Sequence, residues 1–439
     1  MRSIKNRTAI AGAAAAFLAS TMLATAAEEV TWWYEAANPE QQGHLTDFLI
    51  DAFNQNNPDH ELTIDYRGAE LTRQLRVAML ADSGPDVVMT PGPAYVATMA
   101  QAGQLMSLDD LADELGWNDR LLEVFLDLGR YEGQLYALPK TYETLGLFHN
   151  KQMFEENGWE TPSTIAELEA IADDALAKGI IPFGAGNSNW QGANEWHVTM
   201  VMNSIAGPDN VYKALTGEIP WTSEPFVEAI ETLQRWWDAG YFGEDYLSTH
   251  TEEAFAMIAD GRAAMSPVGT WAFQFAPTYF EGMEDQIAFS GFPSADGVPY
   301  PVYPLGIGTT LSIAAAAENP DGAAAVLDYV FGEEFYTNIN TVWQAEWNTP
   351  LRDLSAVSLG DEVLPQYTDA MAELATTVDE TKYGYTSWTF LPPATNNYLI
   401  GGIEEVWFGR VTPEEYLQQL DDTFQQELTE GKVPAIPPR

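Results

Sequence analysis

The sequence predicts an α/β protein organised as two domains. Three observations carry this. Runs with apolar residues at every second position alternate with runs spaced by three and four. The 439 residues exceed what one hydrophobic core ordinarily organises. There is no cysteine to staple a smaller, loop-rich fold. Strands alternating with helices favour a mainly parallel sheet, whose ligands sit beyond the carboxyl ends of the strands.

Residues 1–26 stand apart. Arg2, Lys5 and Arg7 precede an Ala/Leu/Phe-rich run from Ala9 to Leu23, which ends at Ala24, Thr25 and Ala26. The run is shorter than a bilayer span, and the small residues suit a signal peptidase, so this segment is expected to be a cleaved secretory leader. Without a cysteine there is no thiol to carry a lipid anchor, and a freely diffusing periplasmic protein is expected.

Val30, Trp32 and Tyr34 alternate as a strand, and Glu35 to Pro39 follow as a loop. A helix is predicted from about Glu40, with Leu45, Phe48, Leu49 and Phe53 on one face. Leu62 to Tyr66 reads as a second strand and Leu71 to Ala81 as a helix. Asp86 to Met89 is a short strand that runs into Thr90, Pro91, Gly92 and Pro93. Tyr131 to Pro139 reads as a hairpin, and Thr141 to Phe148 as an extended run. Thr164 and Glu167 form a capping box that opens a helix carrying Ile165, Leu168, Ala172 and Leu176, which Lys178 and Gly179 stop.

The formal charge is −46, from 19 basic and 65 acidic residues, and loss of the leader removes three of the basic ones. Such a surface repels nucleic acid and anionic lipid, so neither is expected as a partner. The acid excess fits a protein that lives in salty water, where ions screen carboxylate repulsion. The melting temperature is expected to climb with added NaCl, and a flat response would remove this reading. The five His are scattered and no metal-ligand or nucleophile motif appears, so no metal, cofactor or catalytic residue is expected.

Several stretches together resemble a known family. They are Tyr131 to Pro139; Leu147, Phe148, His149, Asn150 and Lys151 with Phe154 and Gly158; Pro162 to Leu168; and Gly179 to Phe183. Gly261 to Met265 with Gly269, Thr270 and Trp271 come next, then Pro304, Leu305 and Gly306 before Leu311 to Ile313. Each pattern is loose, but their order and spacing over nearly the whole chain resemble family 1 of the extracellular solute-binding proteins, the sugar-binding proteins of ATP-binding-cassette (ABC) importers that include the maltose-binding proteins.

The resemblance implies a type II periplasmic-binding-protein clamshell, two α/β lobes joined by hinge crossings. It places lobe 1 at 27–141 and 289–335 and lobe 2 at 142–288 and 336–439. Crossings are expected near Thr141 to Glu143, near Ile287 to Gly291, and after Phe331. It also implies a monomer that closes on a small carbohydrate and delivers it to the transmembrane permease subunits of an importer.

A pyranose presents apolar faces and a rim of hydroxyls, so its site needs flat aromatic rings and planar polar groups. By resemblance, Trp271 stacks on the sugar, Glu143 is a ligand carboxylate at the hinge beside Tyr142, and Gly306 lets the backbone approach. Glu35 and Asn38 after the first strand, and Thr90 and Gly92 after the third, are candidate walls. The latter loop lacks the charged pair and tryptophan of the maltose-binding proteins, which argues against maltodextrin. Trp190, in an amide-rich loop, and Trp347, Arg352 and Trp388, in loop-like stretches, complete the candidates. Trp196 and His197 are expected to be structural, as are Trp236 and Trp237. Two alternatives stay open: a glycoside-active enzyme built on paired carboxylates, and a receptor that presents its closed form to a sensor.

Overall fold

The computed structural model describes residues 27–35, 37–188, 192–352, 359 and 363–439. The expected leader and Trp190 lie outside the described residues.

Strand β1 (Glu28–Tyr34) buries Val30, Trp32 and Tyr34 on one face, as its alternation requires. It pairs in parallel with β2 (His60–Tyr66) and β3 (Val87–Thr90), which helices connect. The hairpin is β4 (Arg130–Tyr131) and β5 (Gln134–Leu135). Next come β6 (Leu138–Glu143) and β7 (Leu145–Asn150), both fully buried. A smaller sheet runs in the order β10 (Ile287–Ser290), β7, β9 (Ala263–Gly269), β8 (Ile181–Phe183). It is parallel only between β8 and β9. The mainly parallel expectation therefore holds for β1 to β3 and fails in the smaller sheet, where β9 and β10 both run against β7.

Strand β11 (Pro304–Ile313) runs antiparallel to both β3 and β6 and also carries the short β12 (Gly384–Tyr385). The β6 and β11 pair passes from one core to the other. Leu138, Leu311 and Ile313 belong to the core of the large sheet, whereas Tyr142, Leu305 and Ile307 belong to that of the small one. Between Ile307 and Thr310 the register slips against Thr141 and Pro139. Such irregularity sharpens local twist, which suits a ribbon that links two bodies. Residues 287–290 lie within the small sheet. The helix Glu333–Val342 packs Phe335, Tyr336 and Ile339 into the large-sheet core, together with Trp343, Trp347 and Leu351.

The chain is thus two-lobed and α/β, each lobe having its own sheet and core. The Thr164 capping box is present, with Glu167 N–H donating to Thr164 Oγ1 at 3.2 Å and Thr164 N–H to Glu167 Oε2 at 3.1 Å. Gly179 ends that helix region at φ +76°, a conformation that costs glycine nothing.

Candidate functional site

The ends of β1 and β6 bring charge together where the two cores meet. Lys140, on β6, is 1% exposed and its ammonium forms an ion pair with Glu346 and lies 3.8 Å from Glu35. It also donates to Tyr34 Oη at 3.3 Å and lies 4.6 Å from the Trp347 ring centroid. Glu143, also on β6, faces the same group: burial first, then the charges of Glu346 and Glu35, push its carboxyl up to about 8, with Lys140 opposing. Burial likewise raises Glu35, partly offset by Lys140. Three carboxyl groups therefore crowd one ammonium that is already paired with Glu346, so a free anion entering this space finds no spare positive charge.

Aromatic rings adjoin this charged group. Trp271 follows β9 and meets Trp196 at 5.0 Å and Trp388 at 5.9 Å between centroids, the latter edge to face. A side chain at Gly269 would collide with the Trp271 ring, which explains the Gly269, Thr270, Trp271 pattern. Gly306 on β11 has the same logic: a Cβ there would stand 3.0 Å from Trp388 Cζ2 and 3.2 Å from Glu143 Cγ. Its bare backbone lets Trp388 lie against Glu143. The buried indole N–H of Trp388 is directed at that carboxyl and favours its charged form, but the contact falls short of a well-formed hydrogen bond.

Behind Trp388, Ser387 Oγ donates to Glu195 Oε1 at 3.1 Å and lies 2.8 Å from Thr199 Oγ1. Burial raises Glu195 to about 7. Gln274 joins the lobes by accepting from Gln41 Nε2 at 3.2 Å and Trp343 Nε1 at 3.1 Å while donating to the Trp271 carbonyl at 3.1 Å.

Of the residues singled out from sequence, the structure gathers Glu35, Glu143, Trp271, Gly306 and Trp388 into this cleft. The others sit differently. Asn38 Oδ1 caps the helix Pro39–Leu45, accepting from Gln41 N–H at 3.0 Å. Thr90 is buried with its hydroxyl 2.6 Å from that of Thr310. Gly92 opens the helix Pro93–Gln101, and a Cβ there would stand 3.1 Å from the Trp388 carbonyl. Tyr142 turns its ring onto Phe125 in the small-sheet core, at 5.0 Å. Trp347 is fully enclosed among Trp32, Tyr34 and Phe335, so it supports Lys140 from below. Arg352 donates to the Leu121 carbonyl at 3.2 Å, on the lobe 1 surface. His197 is buried, with burial holding it down to about 3, as a structural histidine. Trp236 packs in the core and Trp237 stacks on Trp407 at 4.5 Å.

Sequence reasoning missed Lys140, Glu346, Glu195 and Gln274, and set aside as structural Trp196, whose ring meets that of Trp271. Lys140 had a signal: a cation between Pro139 and the expected hinge, in a chain so poor in cations.

These shifts set a pH dependence of stability. Glu143 and Glu195 hold protons in the folded chain that the unfolded chain releases near 4.5, so stability is lost as pH rises from 4.5 towards 8. His149 and His197 are held down to about 4 and 3. The unfolded chain therefore takes up protons below 6.5 that the folded chain refuses, and stability is lost in that direction too. The melting temperature is expected to decline between pH 6.5 and 8, and Glu143→Gln to flatten that decline. An unchanged slope in the variant would contradict the burial argument.

Residues 30–336 match the bacterial extracellular solute-binding protein family. An uncharacterized ABC transporter extracellular-binding protein of Pyrococcus horikoshii is 25% identical over 322 residues, covering 72% of this chain and 70% of that protein. The "Probable sugar-binding periplasmic protein" of Brucella melitensis is 26% identical over 211 residues, which span 47% of this chain and 48% of the relative. Among solved structures, a chitin oligosaccharide binding protein superposes with a TM-score of 0.81 at 19% identity, covering 92% of this chain and 99% of that one.

Proposed function

This chain belongs to the bacterial extracellular solute-binding protein family, and from that premise we propose that it is the periplasmic substrate-binding component of an ABC importer, capturing a di- or oligosaccharide or glycoside by lobe closure. Its sugar-binding and chitin-oligosaccharide-binding relatives support a carbohydrate ligand. The single observation that carries the reading is the pair of Glu143 and the Trp388 N–H: a buried carboxyl group beside a buried donor that makes no well-formed hydrogen bond with it. A hydroxyl is the group that serves both at once, since it can donate to or accept from the Glu143 carboxyl in either protonation state while its oxygen accepts from the indole. An ammonium would leave the indole unpaired, and an anion would find the one nearby ammonium already paired with Glu346. Trp271 and Trp196 supply the apolar surface that a sugar ring face requires.

The protein works as a secreted monomer, freed of its leader, and hands its ligand to permease subunits without cleaving it. The lobes divide along the two cores, so that β6 and β11 are hinge strands and Tyr336, Ile339, Trp343, Trp347 and Leu351, expected in lobe 2, go with lobe 1.

The test is a thermal-shift screen of the leader-free protein against neutral sugars, polyols, sugar acids and betaines. A ligand bound only by the folded state raises its melting temperature. A rise with one neutral carbohydrate, recovered intact afterwards, is the expected result. A rise confined to a sugar acid or a betaine would overturn the ligand class. Trp388→Phe, which keeps the ring and removes the N–H, is expected to weaken that ligand by roughly three- to tenfold in calorimetric titration, the worth of one hydrogen bond.

A further inference from the structure

We propose that Gly92 sets how far the lobes close: its missing side chain is the clearance that the backbone of Trp388 requires, which makes Gly92 a positioning residue for ligand capture and not a ligand contact. The proposal rests on the lobe-closure reading above and assigns it a determinant.

The segment Thr386 to Phe390 is held from three sides. Ser387 Oγ joins it to Glu195 and Thr199 of lobe 2, and Phe390 lies in the lobe 2 core. Thr386 Oγ1 donates to the Leu305 carbonyl at 2.9 Å, and Thr389 Oγ1 accepts from the Ile307 N–H at 2.9 Å, so both ends are tied to the hinge strand β11. Between these ties the Trp388 ring meets Trp271, Gly306 and Glu143, the groups assigned to the sugar. The Trp388 carbonyl meets lobe 1. A Cβ at Gly92 would stand 3.1 Å from that oxygen, 3.8 Å from the Ile307 carbonyl and 3.9 Å from Thr389 Cα. Ligand contact and lobe contact therefore fall on one residue.

Gly92 follows β3 and opens the helix Pro93–Gln101, so lobe 1 fixes its place. Every atom that its Cβ would face is backbone, which does not swing aside as a flexible side chain does. Relief would require shifting the whole Thr386 to Phe390 segment against its bonds to β11, or leaving the lobes further apart. The second costs less, because it breaks none of those bonds. Gly92 is itself buried, so a carbohydrate in the cleft does not take over this contact. Gly103, just beyond the same helix, offers the contrast: a Cβ there has nothing within 4 Å.

The test uses a closure reporter. The chain has no cysteine, and Gln41 meets Gln274 across the lobes at 3.2 Å, so Gln41→Cys with Gln274→Cys gives one defined pair. The rate at which a short bis-methanethiosulfonate links this pair samples the closed form, with or without sugar. Adding Gly92→Ala is expected to slow linking roughly tenfold and Gly92→Val roughly a hundredfold, as overpacking a tight contact does. In the cysteine-free background, affinity for the carbohydrate selected by the thermal-shift screen should fall by the same factors, since only the closed form completes the site. Gly103→Ala, which strains a backbone at φ +68° but crowds nothing, is expected to lower the melting temperature and leave both readouts unchanged. If Gly92→Val does not fold, Gly92→Ala alone decides.

Weaker affinity at an unchanged linking rate would make Gly92 a ligand contact and overturn the proposal. So would no change in either readout, or a loss confined to the melting temperature of the unliganded protein, which would mean that the contact persists when the lobes part. If the sugar speeds linking in the parent and the Gly92 variants match the parent, only this inference falls. If the sugar does not speed linking in the parent, the lobe-closure reading falls with it.

Discussion

Trp271→Ala is expected to weaken carbohydrate binding by roughly two orders of magnitude, the loss of about 2 to 3 kcal/mol seen when a central aromatic anchor is truncated. The ring joins Trp196 to Trp388, and its backbone carbonyl receives Gln274, the residue that also bonds Gln41 and Trp343 of the other lobe. Removing the ring takes away a stacking surface and leaves Trp388 without its edge-to-face neighbour. Fold stability should fall much less than affinity, because Trp271 is only partly buried and the strand before it is held by β7 and β8. Calorimetric titration with the ligand found by thermal shift, beside a melting curve of the unliganded variant, separates the two effects. Unchanged affinity would place the sugar elsewhere.

The second large effect falls on stability. Lys140→Met keeps the apolar stem and removes the ammonium that serves Glu346 and Glu35. Breaking a buried pair from one side typically costs about 3 to 5 kcal/mol, because the remaining charge stays desolvated and unpaired. The partners here are 18% and 25% exposed, so the lower end of that range is expected. A melting temperature several degrees below the parent should be partly restored by adding Glu346→Gln, which removes the stranded charge. A double variant no better than the single one would show that Lys140 acts through its packing on Trp347 instead.

Much of the fold was legible in the chain. The alternation of Val30, Trp32 and Tyr34, the capping box at Thr164 and the stop at Gly179 are local signals, each depending on residues within a turn or a strand. The motifs that marked Glu143, Trp271 and Gly306 were also short, and the structure sets these residues around Trp388. Where the reading placed a residue by composition, neighbours far along the chain decided otherwise. Trp347 and Arg352 were grouped as loop residues, yet the first is enclosed by Trp32, Tyr34 and Phe335 and the second bonds the Leu121 carbonyl. Asn38 went to a helix cap because its carbonyl lies within reach of the Gln41 N–H, a local bond that leaves less of the side chain for a ligand.

By itself, the sequence determined the secondary-structure pattern, the large negative charge and the family. These depend on residue order over short windows or on sums over the whole chain, and neither needs three-dimensional contact. Only the tertiary structure decided that Lys140 would be shared by carboxyl groups from positions 35 and 346, that Trp388 would rest on Gly306 with its N–H towards Glu143, and which strands run from one core to the other. Burial and charge proximity act through space between residues far apart along the chain, and that proximity is what a one-dimensional pattern does not contain.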